Sequence, residues 1–146
     1  MCADADNPDD WFREGNSTQR DALTRPGPLS AYLTCLTCPV RRECLREAMT
    51  PQRLSFSQQG NGRRALYPEG IWGATTTQER RAVRHLPVQE AIDQLEAELP
   101  ERARARIEEF AARYPREGGR QSVGANRLWA KLDEMGLGKD AEYSAA

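Results

Sequence analysis

Cysteines are the residues of this chain whose type and spacing could do chemistry. Three of the four lie within ten residues, at Cys35, Cys38 and Cys44, and the fourth, Cys2, stands alone near the N-terminus. The Cys-x2-Cys spacing lets two thiolates bind one metal centre, and Cys44 comes within reach if Pro39 begins a new helix. Cys2 would then be a distant fourth ligand that ties the N-terminal arm to the centre. Four sulfur ligands suit a tetrahedral zinc ion or an iron–sulfur cluster.

Other roles for these thiols are open as well. A cysteine can be a small apolar core residue, and a Cys-x2-Cys pair can be a thiol–disulfide redox pair. The redox pair normally follows a strand in a βαβ unit, and the sequence shows no such pattern. Zinc sites usually contain two close cysteine pairs, whereas here the second interval is longer and Cys2 has no near mate. Spacing alone therefore leaves zinc and iron–sulfur evenly matched.

The composition predicts a small module that needs a bound metal or a disulfide for its stability. Hydrophobic residues are 38% of the 146 and charged residues 29%, so a large buried core is not expected. The sequence contains neither the apolar core of a secretory signal nor a run approaching the roughly 20 apolar residues of a membrane span. We therefore expect a cytoplasmic protein, because clustered cysteines in a reducing compartment more often bind metal than form disulfides.

Charge divides the chain into three segments. The net charge is −3 over residues 1–40, +5 over 41–84 and −3 over 85–146. A basic middle segment fits an acidic protein or a nucleic acid as partner, although a solvated charged surface is the commoner explanation.

Helical periodicity and helix caps predict an all-α fold. Ser30 is expected to cap a helix that ends at Leu36, and Pro39 to lie in the first turn of the next helix. That helix should carry Val40, Cys44 and Ala48 on one face at four-residue spacing.

A glycine-bracketed turn follows, and a capped helix comes after it. Gly70 and Gly73 flank Ile71 and Trp72, in a turn that needs backbone conformations closed to most residues. Thr76 or Thr77 should then cap a helix that has a glutamate in its first turn.

The remainder of the chain predicts three more helices, near 88–99, 101–114 and 122–135, with Pro100 separating the first two. The last helix is expected to bury its apolar residues, which are Leu128, Trp129, Leu132 and Met135.

Taken in this order, the motifs resemble the WhiB-like family of actinobacteria and their phages. The resemblance covers residues 2–84 and is carried by Cys2, Pro8, Asp9, Phe12, Cys35, Cys38, Pro39, Val40, Cys44, Gly70, Ile71, Trp72, Gly73, Glu79 and Arg80. Ala74 departs from the family pattern, which has a second glycine after the tryptophan. The interval from Cys44 to Gly70 is longer than expected, and the basic tail common in the family is absent from the sequence.

The resemblance implies a small helical transcription factor and no enzyme. Its domain at 1–84 would hold a 4Fe–4S cluster, sensitive to oxygen or nitric oxide, on Cys2, Cys35, Cys38 and Cys44. Residues 85–146 would form a helical C-terminal extension. The alternatives left open are a zinc-stapled interaction adaptor and a thiol–disulfide reductase that uses Cys35 and Cys38.

The resemblance also implies that the principal sigma factor's C-terminal, promoter-reading domain is the partner. Its contacts would fall to Trp72 in the turn between Gly70 and Gly73, and to Trp11 and Phe12. Each of these aromatic side chains could instead be a packing residue.

Promoter DNA is a second candidate partner. Its candidate contacts are Arg80, Arg81, Arg84, Arg120, Arg127 and Lys131. The last three belong to a segment that could be a recognition helix, since arginine and lysine can contact bases and phosphates. We favour the alternative, in which the extension binds protein or stabilises the fold.

Overall fold

The computed structural model describes residues 8–11, 23, 25–51, 67–117 and 122–138. Within these ranges the chain forms five α-helices and one short 3-10 helix. In chain order they are the 3-10 helix Pro8–Trp11, α1 Pro26–Leu36, α2 Arg41–Met49, α3 Thr77–Val83, α4 Val88–Arg113 and α5 Val123–Glu134. The one pairing of β type in the described ranges is a bridge between Trp72 and Thr75, so the all-α prediction is confirmed.

None of the helices described here is both long and apolar enough to span a bilayer.

The helix α1 begins earlier than predicted. Ser30 is not its cap, because the helix starts at Pro26 with the extended residue Arg25 as N-cap. Pro26 and Pro28 lie in the first turn, where the fixed φ of proline suits a helix and its missing N–H costs no hydrogen bond. Ser30 lies inside the helix, and its carbonyl accepts a hydrogen bond from the Thr34 hydroxyl at 3.0 Å.

The helix α2, in contrast, begins later than its sequence pattern suggests. It starts at Arg41, and Pro39 lies in the connecting turn. Val40, predicted on one face with Cys44 and Ala48, is 56% exposed. The buried residues of this helix are Leu45, Ala48 and Met49.

The cap of α3 is as the sequence predicts. The Thr76 hydroxyl accepts a hydrogen bond from the Glu79 amide, and the Glu79 carboxylate accepts one from the Thr76 amide at 2.8 Å. This reciprocal capping box satisfies two amides that the first turn leaves without helical partners.

The helix α4 is one continuous helix through Pro100, so the predicted restart at this proline is wrong. Pro100 is exposed, and the Arg102 guanidinium donates to the Leu95 carbonyl in the preceding turn. Buried residues lie on both sides of the proline: Ala91, Ile92, Leu95, Leu99, Ala103, Ile107, Phe110 and Ala111. Their packing against two hydrophobic clusters outweighs the cost of a helix-interior proline, about 3 kcal/mol.

Two hydrophobic clusters hold the helices together. The larger one joins α1, Trp11, Ile71 and Ala74 to the second half of α4 and to α5. The smaller one packs Leu45 and Met49 of α2 against the first half of α4. The C-terminal helices therefore share their cores with the part of the chain that carries the cysteines.

The last helix, α5, agrees closely with its prediction. Ser122 is its N-cap and accepts a hydrogen bond from the Ala125 amide. Leu128, Trp129 and Leu132 are buried, whereas Met135 is only partly buried. The Trp129 indole N–H, which needs a partner when buried, donates to a backbone carbonyl at the end of α4.

Lys131 is bound to α1 and does not point to solvent. Its Nζ lies 2.9 Å from the Ser30 carbonyl, 3.1 Å from the Ser30 hydroxyl and 2.6 Å from the Thr34 hydroxyl. The sequence offers Lys131 as a DNA contact, and the structure corrects this. An ammonium group that uses its donors inside the fold has none left for a phosphate.

We predict that Lys131→Met lowers the free energy of unfolding by about 1–3 kcal/mol, because charge-assisted hydrogen bonds are lost from a partly buried position. Arg127→Met, on the exposed face of the same helix, should change it by less than about 0.5 kcal/mol. Urea unfolding followed by circular dichroism measures both. Equal effects of the two substitutions would show that the contact with α1 contributes nothing.

Candidate metal centre and the tryptophan turn

The connection between α1 and α2 brings three cysteines together in the chain. Cys35 lies in the last turn of α1, Cys38 in the connecting turn and Cys44 in α2. The Cys38 amide donates to the Cys35 carbonyl at 3.2 Å, and the Arg41 amide donates to the Cys38 carbonyl at 3.2 Å. Cys35 is buried, and the other two are partly buried. Cys2, the predicted fourth ligand, lies outside the described residues.

The surroundings of Cys44 favour its protonated thiol on balance. Burial raises the pKa of the Cys44 thiol, and a hydrogen bond from the Gly73 amide lowers it in part. Metal binding therefore has to displace a proton from this sulfur.

The residue types of this region, but not their placement in the described structure, are those of a thiolate-bound metal centre. Three sulfur atoms, one amide donor to sulfur and a nearby arginine are features that iron–sulfur and zinc sites share. Within the described ranges, no group of three or more His, Cys, Asp or Glu side chains is placed so that it could hold a metal ion.

The turn after Tyr67 is built on backbone conformations that glycine allows. The Trp72 amide donates to the Thr75 carbonyl at 3.0 Å, and the Thr75 amide returns a bond of 2.9 Å. Gly70 and Gly73 have φ of 91° and 55°, in the left-handed region. The predicted glycine-dependent turn is therefore present.

Gly73 is required for a second reason, which is space. A Cβ at this position would lie 2.7 Å from the Leu45 Cβ and 2.8 Å from the Arg41 carbonyl oxygen. The turn thus packs against the backbone of α2, and this close approach brings the Gly73 amide to the Cys44 sulfur.

Ala74, the departure from the family pattern, keeps the turn's geometry. Its φ of 58° places an alanine in the left-handed region, which costs roughly 1–2 kcal/mol. Its methyl group is fully buried in the larger hydrophobic cluster. This burial offsets part of the backbone cost.

Arg80 is the hydrogen-bond centre of the turn and is 0% exposed. Its Nη1 donates to the carbonyl and the hydroxyl of Thr75, at 2.9 and 3.1 Å. Its Nη2 donates to the carbonyls of Pro68 and Gly70, both at 2.9 Å, and to the Thr77 hydroxyl at 3.3 Å. The sequence offers Arg80 as a DNA contact. The structure corrects this prediction, because the guanidinium donates its hydrogen bonds within the turn and does not reach the surface.

The two tryptophans predicted to bind a partner lie in different environments. Trp72 is partly exposed, and its indole N–H donates to the Glu69 carbonyl at 2.9 Å, which fixes the ring on the turn. Trp11 is only 8% exposed and belongs to the larger cluster, and its carbonyl accepts a hydrogen bond from the Ile71 amide. Trp11 thus packs beneath the turn, and Trp72 stands on it. Phe12 lies outside the described residues.

The other arginines predicted to bind DNA are scattered. Arg81 is exposed beside Glu69, 3.8 Å away. The Arg84 guanidinium lies 3.6 Å from the centre of the Tyr67 ring, and burial lowers the pKa of Arg84. Arg127 is exposed on α5. Arg120 lies outside the described residues.

Sequence reasoning missed the ion pairs that join the cysteine-bearing part to α4. The Glu79 carboxylate, besides capping α3, pairs with Arg102 and Arg106 of α4. Arg41 and Arg42 of α2 pair with Glu96 and Asp93 of α4. For the pairs of Arg41 and Arg42, the signal in the sequence is the opposite net charge of the two segments.

We predict that Arg80→Met lowers the free energy of unfolding by about 3–5 kcal/mol, since it leaves several buried acceptors without donors. Its neighbour Arg81→Met is the matched control. That side chain is 59% exposed, and the expected change is below about 0.5 kcal/mol. Urea unfolding of identically prepared proteins gives both values. A small effect of Arg80→Met would contradict the role of Arg80 in holding the turn.

The order of these features along the chain agrees with one protein family. Residues 1–83, more than half of the chain, match the family model described as transcription factor WhiB. Comparison with curated proteins and with solved structures gives no match. The match spans the cysteines, the tryptophan turn and α3, and we conclude that the chain belongs to the WhiB family of transcription factors.

Proposed function

We propose that this protein is a cytoplasmic regulator that carries a 4Fe–4S cluster on Cys2, Cys35, Cys38 and Cys44. It responds to redox change or nitric oxide, and it acts through the C-terminal domain of the principal sigma factor, with promoter DNA as a further contact. The observation that carries the proposal is the close packing of the tryptophan turn on α2, where a Cβ at Gly73 would lie 2.7 Å from the Leu45 Cβ, next to Cys44 in the chain. This packing places the turn that presents Trp72 against the helix that carries Cys44.

The polar surroundings of the thiols support a cluster with a net negative charge. Arg41 lies within electrostatic range of Cys35 and Cys38, and Arg80 within range of Cys44. Cations and amide donors near the sulfurs stabilise thiolates and set the reduction potential of an iron–sulfur centre. A bound cluster would supply one-electron chemistry and reactivity toward oxygen or nitric oxide.

The pose of Trp72 supports a protein partner. A partly exposed tryptophan whose ring is fixed by a hydrogen bond loses little entropy on binding, and tryptophan is enriched at binding hot spots. Pro39 and Val40, which follow Cys38, are exposed apolar residues. The partner that we propose for these exposed side chains is the sigma factor domain that the family resemblance implies.

Promoter DNA is a secondary contact in this proposal. Two of the arginines offered as contacts, Arg81 and Arg127, are exposed in the described structure. Two isolated arginines neutralise few phosphates, so DNA binding without the sigma factor is expected to be weak and dependent on salt.

We predict that anaerobically purified protein is brown, with broad visible absorption that is lost in air. Cys38→Ser should abolish the absorption, because a hydroxyl does not replace a thiolate ligand of iron. The measurement is the visible spectrum together with iron, sulfide and zinc contents. A colourless protein with one zinc per chain would replace this proposal by the zinc-stapled adaptor. Insulin reduction abolished by Cys38→Ser but kept by Cys2→Ser would favour the reductase.

We further predict that Trp72→Ala weakens binding to the sigma factor's C-terminal domain at least tenfold, while the melting temperature changes little. Trp11→Ala is the contrasting variant. Because Trp11 is buried, it should lower the free energy of unfolding by about 3–5 kcal/mol. Calorimetry and thermal melts of cluster-loaded protein measure the two properties. Unchanged affinity with a lowered melting temperature in Trp72→Ala would identify Trp72 as a packing residue.

A further inference from the structure

Arg41 joins the cysteine loop to a helix outside the matched family region. Its Nη1 donates to the Leu36 carbonyl at 2.8 Å, inside the Cys35-x2-Cys38 interval. Its Nε and Nη2 donate to the two carboxylate oxygens of Glu96 in α4, at 3.1 and 2.8 Å. A bidentate arginine–carboxylate pair fixes the guanidinium in orientation as well as position. The carboxylate that orients this cation therefore comes from the extension.

The charge of Arg41 acts on the cysteine loop. The pKa of Arg41 is raised first by its hydrogen bond to Glu96, and negative charge on Cys35 and Cys38 raises it further. The guanidinium thus bonds the Glu96 carboxylate of α4 on one side and the Leu36 carbonyl of the cysteine loop on the other.

The Arg41–Glu96 pair is less exposed to solvent than the neighbouring Arg42–Asp93 pair on the same two helices. The Arg41 and Glu96 side chains are 26% and 15% exposed, against 44% and 56% for Arg42 and Asp93. Both members of the Arg41 pair also line an open groove of about 450 Å³, together with the apolar residues Leu36, Leu99 and Ile107. Because the pair is less exposed than its neighbour, its charges are screened less than charges on the open surface.

We propose that the Arg41–Glu96 pair makes the C-terminal extension part of the cluster site; this inference rests on the cluster proposed above. Glu96 is a positioning residue, which tunes the reduction potential of the cluster through Arg41. A bound cluster would gain one electron from a reductant such as dithionite, with no bond broken. The Arg41 charge would stabilise that electron, and Glu96 would cancel part of the field of Arg41. The extension therefore holds the potential below the value that Arg41 alone would set.

Opposite potential shifts in two variants test this inference. Redox titration of cluster-loaded full-length protein with dithionite should show a higher midpoint potential for Glu96→Gln and a lower one for Arg41→Gln. Each shift should correspond to at least a threefold change in the equilibrium constant, about 28 mV for a one-electron couple. The double variant should return toward the wild-type value, because both charges are then absent.

Asp93→Asn is the matched control, since it removes the same charge from the neighbouring, more exposed pair. Its shift should be less than a third of that of Glu96→Gln. The proposal is overturned if Glu96→Gln and Arg41→Gln shift the potential in the same direction, or if Asp93→Asn shifts it as much as Glu96→Gln does. A purely structural effect would not follow the sign of the charge that each substitution removes.

Two further outcomes concern retention of the cluster. If Arg41→Gln does not retain the cluster, the comparison of Glu96→Gln with Asp93→Asn decides alone: a larger rise supports the proposal and an equal one overturns it. If wild-type protein is colourless after anaerobic purification, the proposed cluster itself fails, and this inference fails with it. A brown wild type with unshifted variants overturns only the role of Glu96.

Discussion

The guanidinium of Arg80 is the interaction on which the rest of the candidate site depends. Five hydrogen bonds from one buried side chain hold the turn between Pro68 and Thr77. Without these donors, the inward carbonyls of the turn would be buried without partners, at about 1–3 kcal/mol each. The position of the turn in turn fixes the Gly73 amide on the Cys44 sulfur and the Trp72 ring at the surface. A single cation thus connects the cysteine-bearing region with the predicted partner surface.

The sequence predicted those features that depend on local chemistry. The Thr76–Glu79 capping box, the Ser122 cap and the glycine-dependent turn all follow from neighbours in the chain. The positions of Cys35, Cys38 and Cys44 in and beside one short connection also follow from their spacing, whereas their common metal centre stays a prediction. The family itself could be named from the order of these local motifs, and the family match confirms it.

Features that depend on tertiary burial could not be predicted in the same way. An arginine is expected to be exposed, so the neighbouring sequence does not distinguish the buried Arg80 from the exposed Arg81 beside it. Pro100 was expected to break a helix, because its local cost is visible in the sequence and the packing that offsets it is not. The sequence offers Lys131 as a candidate DNA contact for the same reason, because the hydroxyls that bind it lie about a hundred residues earlier in the chain.

The ion pairs between α2 and α4 change how the charge pattern of the sequence should be interpreted. A segment of net charge +5 suggests a nucleic acid partner, yet Arg41 and Arg42 face carboxylates of α4. Arg102 and Arg106 repeat the arrangement with the charges exchanged, since α4 supplies the arginines and Glu79 the carboxylate. The extension therefore supplies the acidic partner that the basic segment requires, and its helices complete both hydrophobic clusters. A cluster bound at the cysteines would consequently lie in a field set by residues on both sides of residue 84, so the extension would belong to the sensing part of the molecule as much as to its scaffold.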